Sequence, residues 1–357
     1  MEKRITNLTK IVDALPPNER KLFQRIFDVE ETLGRIILPK TMYGWVKERF
    51  GDTKVVEEQK IVKVTNLVTM ESSLFNELRS LRPIQVEKKS SIKILAKEEG
   101  CIFCNPTKNT PTDVFGRVRG RHCITASNLT KYEGLHGVVI FKKHNPLELS
   151  FEEISDCIDV SFRWFKKANK VDKKAVYPFF MWNCLWRSGA SIVHGHVQVA
   201  LSRKPYSKVE HLRKVSENYQ KKFGSDYFED LFKVHSFLGL GFLDGKTKIM
   251  AYLTPVKEKE VLLTSPRMDM ELKKSIYKVF LCYRKLGVES FNLCVLMPPL
   301  KVKDDWKNFP VVVRILDRGK LFDRTSDIGA MELYGSSVIS SDPFRLVEAI
   351  RKIKDFS

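Results

Sequence analysis

The stretch His194-Gly195-His196-Val197-Gln198-Val199-Ala200-Leu201 gathers the groups best suited to chemistry. Read at period two, His194, His196 and Gln198 share one face of a strand, and Gly195, Val197 and Val199 take the other against a core. Two rings and an amide on an otherwise apolar strand are costly to bury unless a metal, a phosphate or a hydrogen bond partners each one. The same spacing also suits a surface pair or satisfied core histidines. Upstream, Asn183 ends the apolar run 177–182, and Arg187-Ser188-Gly189-Ala190-Ser191 leads into the histidines. Ser188, Gly189 and Ser191 offer hydroxyls and backbone N–H groups, which a phosphate requires.

Cys101-Ile102-Phe103-Cys104 has metal-ligand spacing. Alone it reads equally as a redox pair, as half of a zinc site, or as neither. No second Cys-x-x-Cys follows, so further ligands must be histidines. His144, after the apolar strand 137–141, and His194 are the candidates.

An Asn, then Gly-x-Ser, then His-x-His-x-Gln resembles the histidine-triad superfamily. Within it, the pattern is similar to the branch containing galactose-1-phosphate uridylyltransferase and the dinucleoside-polyphosphate phosphorylases. Arg79-Ser80-Leu81-Arg82-Pro83 stands before the Cys-x-x-Cys, as a similar Arg-x-x-Arg-Pro does in the uridylyltransferases. The resemblance implies an α+β, duplicated fold of antiparallel sheets crossed by helices. It implies a closed, structural Zn2+ site of Cys101, Cys104, His144 and His194. It also implies that Arg79 and Arg82 sit on nucleotide phosphates, suited to this by the planar guanidinium fork. Asn128 would lie by the nucleoside, although Leu129 replaces the family's Asp beside it. Asn183, Ser188, Gly189 and Ser191 would line the substrate, and Glu332 would reach the hexose. His196 would be the nucleophile, and the Gln198 amide would donate to a phosphate oxygen.

The implied reaction moves a nucleoside monophosphate, with UMP expected, between a nucleotide sugar and a hexose 1-phosphate through a nucleotidyl-histidine. A Gln where the superfamily's hydrolases carry His suits a phosphate leaving group, which needs little protonation. A phosphorylase with the same nucleophile is the alternative, differing only in its acceptor. A non-catalytic nucleic-acid binder, resting on the net charge of +19, ranks last because RNA-binding motifs are absent. A homodimer is expected from the family.

The elements that must position these residues are also legible. Residues 1–60 read as a helical N-terminal extension, 61–201 as the catalytic half and 202–357 as a degenerate second half. Ser150-Phe151-Glu152-Glu153 reads as a capping box before a long helix. Strand, helix, strand, strand recurs through 262–263, 276–283, 291–296 and 310–315. That second copy carries no histidine, so the family's second metal site is expected to be missing. The 357 residues, 43% of them hydrophobic, suffice for a large core. Seven cysteines at irregular positions, no visible signal peptide and no long apolar run predict a cytoplasmic chain without a membrane span.

Overall fold

The computed structural model describes residues 2–81, 100–301, 304–323 and 325–354. Helices α1 (Leu8–Asp13) and α2 (Pro17–Ile26) open the chain, the second with Pro17 at its first position. Phe23 and Ile26 are buried, and the chain turns extended at Phe27. There the helical expectation for 1–60 is corrected. Phe27–Arg35 is a strand, β1, paired from Phe27↔Asn66 to Arg35↔Glu58 with β2 (Glu58–Asn66). A partner strand distant in sequence overrides local preference. Helices α3 (Tyr43–Phe50) and α4 (Lys54–Glu57) lie in the connection. Strands β3 (Ser72–Phe75) and β13 (Ser336–Ile339) complete a four-stranded sheet.

The first half of the large sheet follows the short helix α5 (Pro106–Asn109). It comprises β4 (Cys123–Ser127), β5 (Leu135–Phe141), α6 (Phe151–Val171), β6 (Tyr177–Cys184) and β7 (His196–Ser202). The capping box at α6 is present: Ser150 N–H donates to Glu153 and Glu153 N–H donates to the Ser150 hydroxyl. Helices α7 (Ser207–Phe223) and α8 (Tyr227–Leu238) come next, then β8 (Gly241–Asp244). Then β9 (Thr247–Ala251), β10 (Val261–Ser265), α9 (Met270–Lys285), β11 (Phe291–Leu296) and β12 (Val311–Asp317) repeat the first half's order. Asp342 caps the last helix, α10 (Pro343–Arg351).

One nine-stranded sheet results, ordered β4-β5-β7-β6-β11-β12-β10-β9-β8. Its order is symmetric about the β6–β11 junction: β4, β5, β7 and β6 answer to β9, β10, β12 and β11. The duplicated α+β fold is thus visible in the sheet itself. Directly opposed residues of antiparallel strands point to the same face. Trp182↔Leu293 and Phe180↔Val295 therefore share a face, buried in the main core with residues of α6 and α9. Met181↔Gln198, Asn183↔Asn292 and Cys294↔Arg314 place Gln198, Asn183 and Arg314 on the other face.

In the second half that other face is plugged. Arg314 is buried against Glu260 and, at 2.6 Å, against Glu71, and the Tyr252 hydroxyl donates to Glu71 at 2.9 Å. Leu231 and Phe228 of α8 close over the cluster. In the first half the same face carries His196 and Gln198. Among the described residues, no helix is long and apolar enough to cross a membrane.

Candidate active site and metal centre

Strand β7 begins at His196, so His194 precedes the strand on which the period-two reading placed it. The backbone explains the shift. Gly195 N–H donates to the His144 carbonyl at 2.9 Å, and Phe141 N–H donates to the Gly195 carbonyl at 3.1 Å. A Cβ at Gly195 would stand 3.2 Å from Phe141 and 3.3 Å from Pro146, so the close approach needs glycine. This draws the His194 ring away from the sheet face and towards the Cys-x-x-Cys turn.

Cys101, Cys104, His144 and His194 then converge, with their donor atoms all within 4.8 Å of one another. His194 Nδ1 lies 3.6 Å from Cys101 Sγ, 3.5 Å from Cys104 Sγ and 3.1 Å from His144 Nδ1, and His144 Nδ1 lies 3.4 Å from Cys104 Sγ. Zinc with ordinary Zn–N and Zn–S lengths in a tetrahedron would have N–N edges of about 3.3 Å and N–S edges of about 3.6 Å. The four donors fit such an ion. His194 Nε2 donates to the Phe141 carbonyl at 2.7 Å, which leaves the Nδ1 lone pair facing the cluster. Burial pushes the His194 imidazole down to about 4, so the ring is in its neutral, ligating form.

His196 is 7% exposed, and burial holds its imidazole below the ordinary value. Its Nδ1 lies 2.8 Å from the His194 carbonyl. A carbonyl only accepts, so Nδ1 carries the proton and Nε2 carries the lone pair of the neutral ring. Phe103, from the Cys-x-x-Cys turn, packs its edge on both histidines, with centroids 5.1 Å from His196 and 6.0 Å from His194. The metal cluster and the nucleophile candidate are therefore one packed unit.

Two positions beyond His196, Gln198 Oε1 accepts from the Tyr132 hydroxyl at 3.0 Å and lies 3.1 Å from His136 Nε2. Asn128, expected at the nucleoside, has Nδ2 3.0 Å from the same His136 nitrogen, and its Oδ1 accepts from Thr130 N–H at 3.1 Å. Leu129 is 83% exposed.

The loop between β6 and β7 opens with Leu185 at φ 68, a left-handed conformation held at a buried non-glycine residue. The Leu185 carbonyl accepts from Ser188 N–H, Ala190 N–H and, at 2.7 Å, the Ser188 hydroxyl. Ser188 is thus buried and holds the turn, in place of the phosphate contact expected of it. Gly189 has φ +97, which suits glycine, and Ser191 is exposed on the same loop. Asn183 Oδ1 accepts from Asn292 Nδ2 at 2.6 Å, and that amide also donates to the Ser188 carbonyl at 3.0 Å. Arg318 then donates to Asn292 Oδ1 and to Asp327.

Beside this chain lies a cleft of about 380 Å³ lined by Arg79, Arg187, Lys257, Arg318 and Glu332. An open groove shares Arg187 and Arg318 with it and reaches Ser188 and Gly189. Arg79, expected at the nucleotide phosphates, and Glu332, expected at the hexose, thus meet in one cleft. The Glu332 carboxylate is engaged by Lys257 and by Gly329 N–H. Arg82 lies outside the described residues. Sequence reasoning missed Tyr132, His136, Arg187, Asn292 and Arg318. Only Asn292 left a signal, as a polar residue in an apolar strand of the second copy.

Site and sheet together define a duplicated α+β fold that carries a Cys2His2 cluster beside the His196–Gln198 strand. Solved structures carry the comparison further. The chain is similar to an ADP-glucose phosphorylase from Arabidopsis thaliana with bound ADP-glucose (16% identity, 80% of this chain and 96% of that one, TM-score 0.59). It is similar to a GALT-like protein from the same plant (16% identity, 81% and 98%, TM-score 0.58). It is also similar to a uridylyltransferase (14% identity, 82% and 97%, TM-score 0.57). No protein-family model and no curated protein sequence matches the chain.

Proposed function

We propose that the protein transfers a nucleoside monophosphate from a nucleotide sugar to a phosphate-bearing acceptor through a nucleotidyl-His196 intermediate. The observation that carries this reading is the tautomer of His196: its Nδ1 proton is tied to the His194 carbonyl, so Nε2 is the nucleophilic nitrogen. Nε2 attacks the α-phosphorus, the P–O bond to the β-phosphate breaks, and a sugar 1-phosphate leaves with the electron pair. An acceptor phosphate oxygen then attacks the same phosphorus, the N–P bond breaks, and His196 returns neutral. The Gln198 amide N–H groups steady the non-bridging oxygens as charge shifts onto them. Cys101, Cys104, His144 and His194 hold a structural zinc ion, which fixes the carbonyl that orients His196. Arg79, Arg187, Lys257 and Arg318 supply positive charge for the phosphates beyond the α-position.

In this reading the acceptor is a hexose 1-phosphate and the transferred group UMP, as in a uridylyltransferase acting in the cytoplasm. The chain's division near residue 201, into a catalytic and a non-catalytic half, follows the symmetric sheet. One observation favours inorganic phosphate as acceptor, and hence a phosphorylase. Of the five carboxylates lining the cleft that could hold sugar hydroxyls, four are already bonded: Glu332 to Lys257, Asp327 to Arg318, Asp317 to Lys259, and Glu258 to the backbone of Ser340 and Ser341. Incubation with UDP-glucose, ADP-glucose and GDP-glucose, each chased with galactose 1-phosphate or inorganic phosphate, separates the two. Release of a new nucleotide sugar supports the transferase, and a nucleoside diphosphate formed only with phosphate supports the phosphorylase. Turnover of none of the donors with either acceptor overturns both.

A further inference from the structure

The loop 128–134 and the start of β5 surround Gln198 in a way that the proposed reaction does not by itself require. Tyr132 is 56% exposed, whereas His136 is fully buried beneath it. The two rings lie 4.0 Å apart, centroid to centroid. Both reach one atom, Gln198 Oε1, at 3.0 Å from the Tyr132 hydroxyl and 3.1 Å from His136 Nε2. An amide oxygen has two lone pairs, so two donors occupy it fully.

The proton on His136 can be placed. Its Nδ1 is buried with no partner. A proton on Nε2 leaves a bare Nδ1 lone pair in the core and requires the Asn128 N–H groups, 3.0 Å away, to turn aside. A proton on Nδ1 would instead leave an unsatisfied N–H in the core, the rarer defect, and set the Nε2 lone pair against Gln198 Oε1. The Nε2–H tautomer therefore serves Gln198. The Asn128 amide, 3.0 Å from the same nitrogen and held through Oδ1 by Thr130, is half-buried and keeps access to solvent for its own N–H groups.

The geometry points to Tyr132 and His136 as positioning residues that clamp the Gln198 carbonyl and thereby turn both of its N–H donors towards the phosphate bound at His196. This rests on the nucleotidyl-transfer reading and deepens it. An unclamped glutamine also samples the orientation in which its oxygen faces, and repels, the phosphate. The clamp removes that wrong orientation.

The test is a double-mutant cycle on the rate of nucleotidyl-His196 formation, measured in single turnover with UDP-glucose or with ADP-glucose, whichever labels the protein. Tyr132→Phe removes one hydroxyl at a half-exposed site and should slow labelling about fivefold, as loss of one hydrogen bond does. Donor affinity, zinc content and unfolding midpoint should stay at the wild-type values. His136→Ala should slow it further. In the Gln198→Ala background neither change should slow it again, because the group they position is gone. Equal losses in both backgrounds, or no loss from Tyr132→Phe, would overturn the clamp while leaving the nucleophile intact. A wild-type protein that labels with neither donor would overturn the transfer reading, and the clamp with it.

Discussion

At the scale of single residues, the site is a set of proton placements. His194 gives Nε2–H to Phe141 and turns Nδ1 to the cluster, and His196 gives Nδ1–H to His194 and keeps the lone pair on Nε2. The residue types and their spacing were legible in the sequence, because a Cys-x-x-Cys and a His-x-His-x-Gln are short-range patterns. Which nitrogen bears a proton was not, since it depends on carbonyls that the fold brings in. Ser188 shows the same limit. Its hydroxyl suits a phosphate by type, but the strained Leu185 turn draws it inward. Cys101→Ser should lower bound zinc and thermal stability together, because metal binding at such a site is coupled to folding. Metal analysis of the purified variant beside its melting curve checks this, and wild-type zinc content in the variant would reject the four-ligand site.

At the scale of elements, β5 and β7 carry the site, and their closeness to α6 sets how firmly it is held. Gly137 opposes Val199 on β7 and lies under α6. A Cβ there would fall 2.9 Å from Trp164 Nε1 and 3.1 Å from the Ala126 carbonyl. Trp164 cannot yield, because Nε1 also donates to Asp113 at 2.7 Å. Gly137→Ala should therefore cost about 1–3 kcal/mol, the usual penalty of overpacking. A denaturant titration reads the loss, and an unchanged midpoint would show that the helix is free to shift. The long helices and most strands were legible from capping and periodicity, as at Ser150 and 137–141. Strand β1 was not, because Phe27–Arg35 has polar side chains at most positions and becomes a strand only by pairing with β2. The loop that brings Tyr132 over Gln198 left no periodic signal either.

At the scale of the whole molecule, two copies of one unit share a sheet, and only the first carries the His-x-His-x-Gln stretch. The other face of the second copy is closed by Arg314, Glu71, Glu260 and the tyrosines around them. Burial alone would push the Glu71 carboxyl up, but the charges of Arg314 and Lys208 outweigh it and hold the carboxyl at about 2. Glu260, fully buried beside the same arginine, is pushed up by burial. The two act oppositely on stability. Glu71, with a folded value below its unfolded one, contributes stability that is present above about pH 4.5 and is lost as pH falls towards 2. Glu260, with a raised value, offsets part of this. Glu71→Gln should therefore lower stability near neutrality and flatten its fall between about pH 4.5 and pH 2, as read by unfolding across that range. A pH profile parallel to that of the wild type would remove Glu71 from the balance. The duplication was legible from the recurring order of strands and helix. The plug was not, because Glu71 lies far in sequence from Arg314 and its pairing is made by the fold.

The central claim is that His196 Nε2 is the nucleophile, and intact-protein mass tests it most directly. Wild-type protein incubated with UDP-glucose, ADP-glucose or GDP-glucose should gain the mass of one nucleoside monophosphate from one of them. The gain should map to His196, reverse on adding a sugar 1-phosphate or inorganic phosphate, and vanish in a folded His196→Ala variant. A folded, zinc-bearing protein that gains no mass from any donor, or an adduct that persists in His196→Ala, would contradict it.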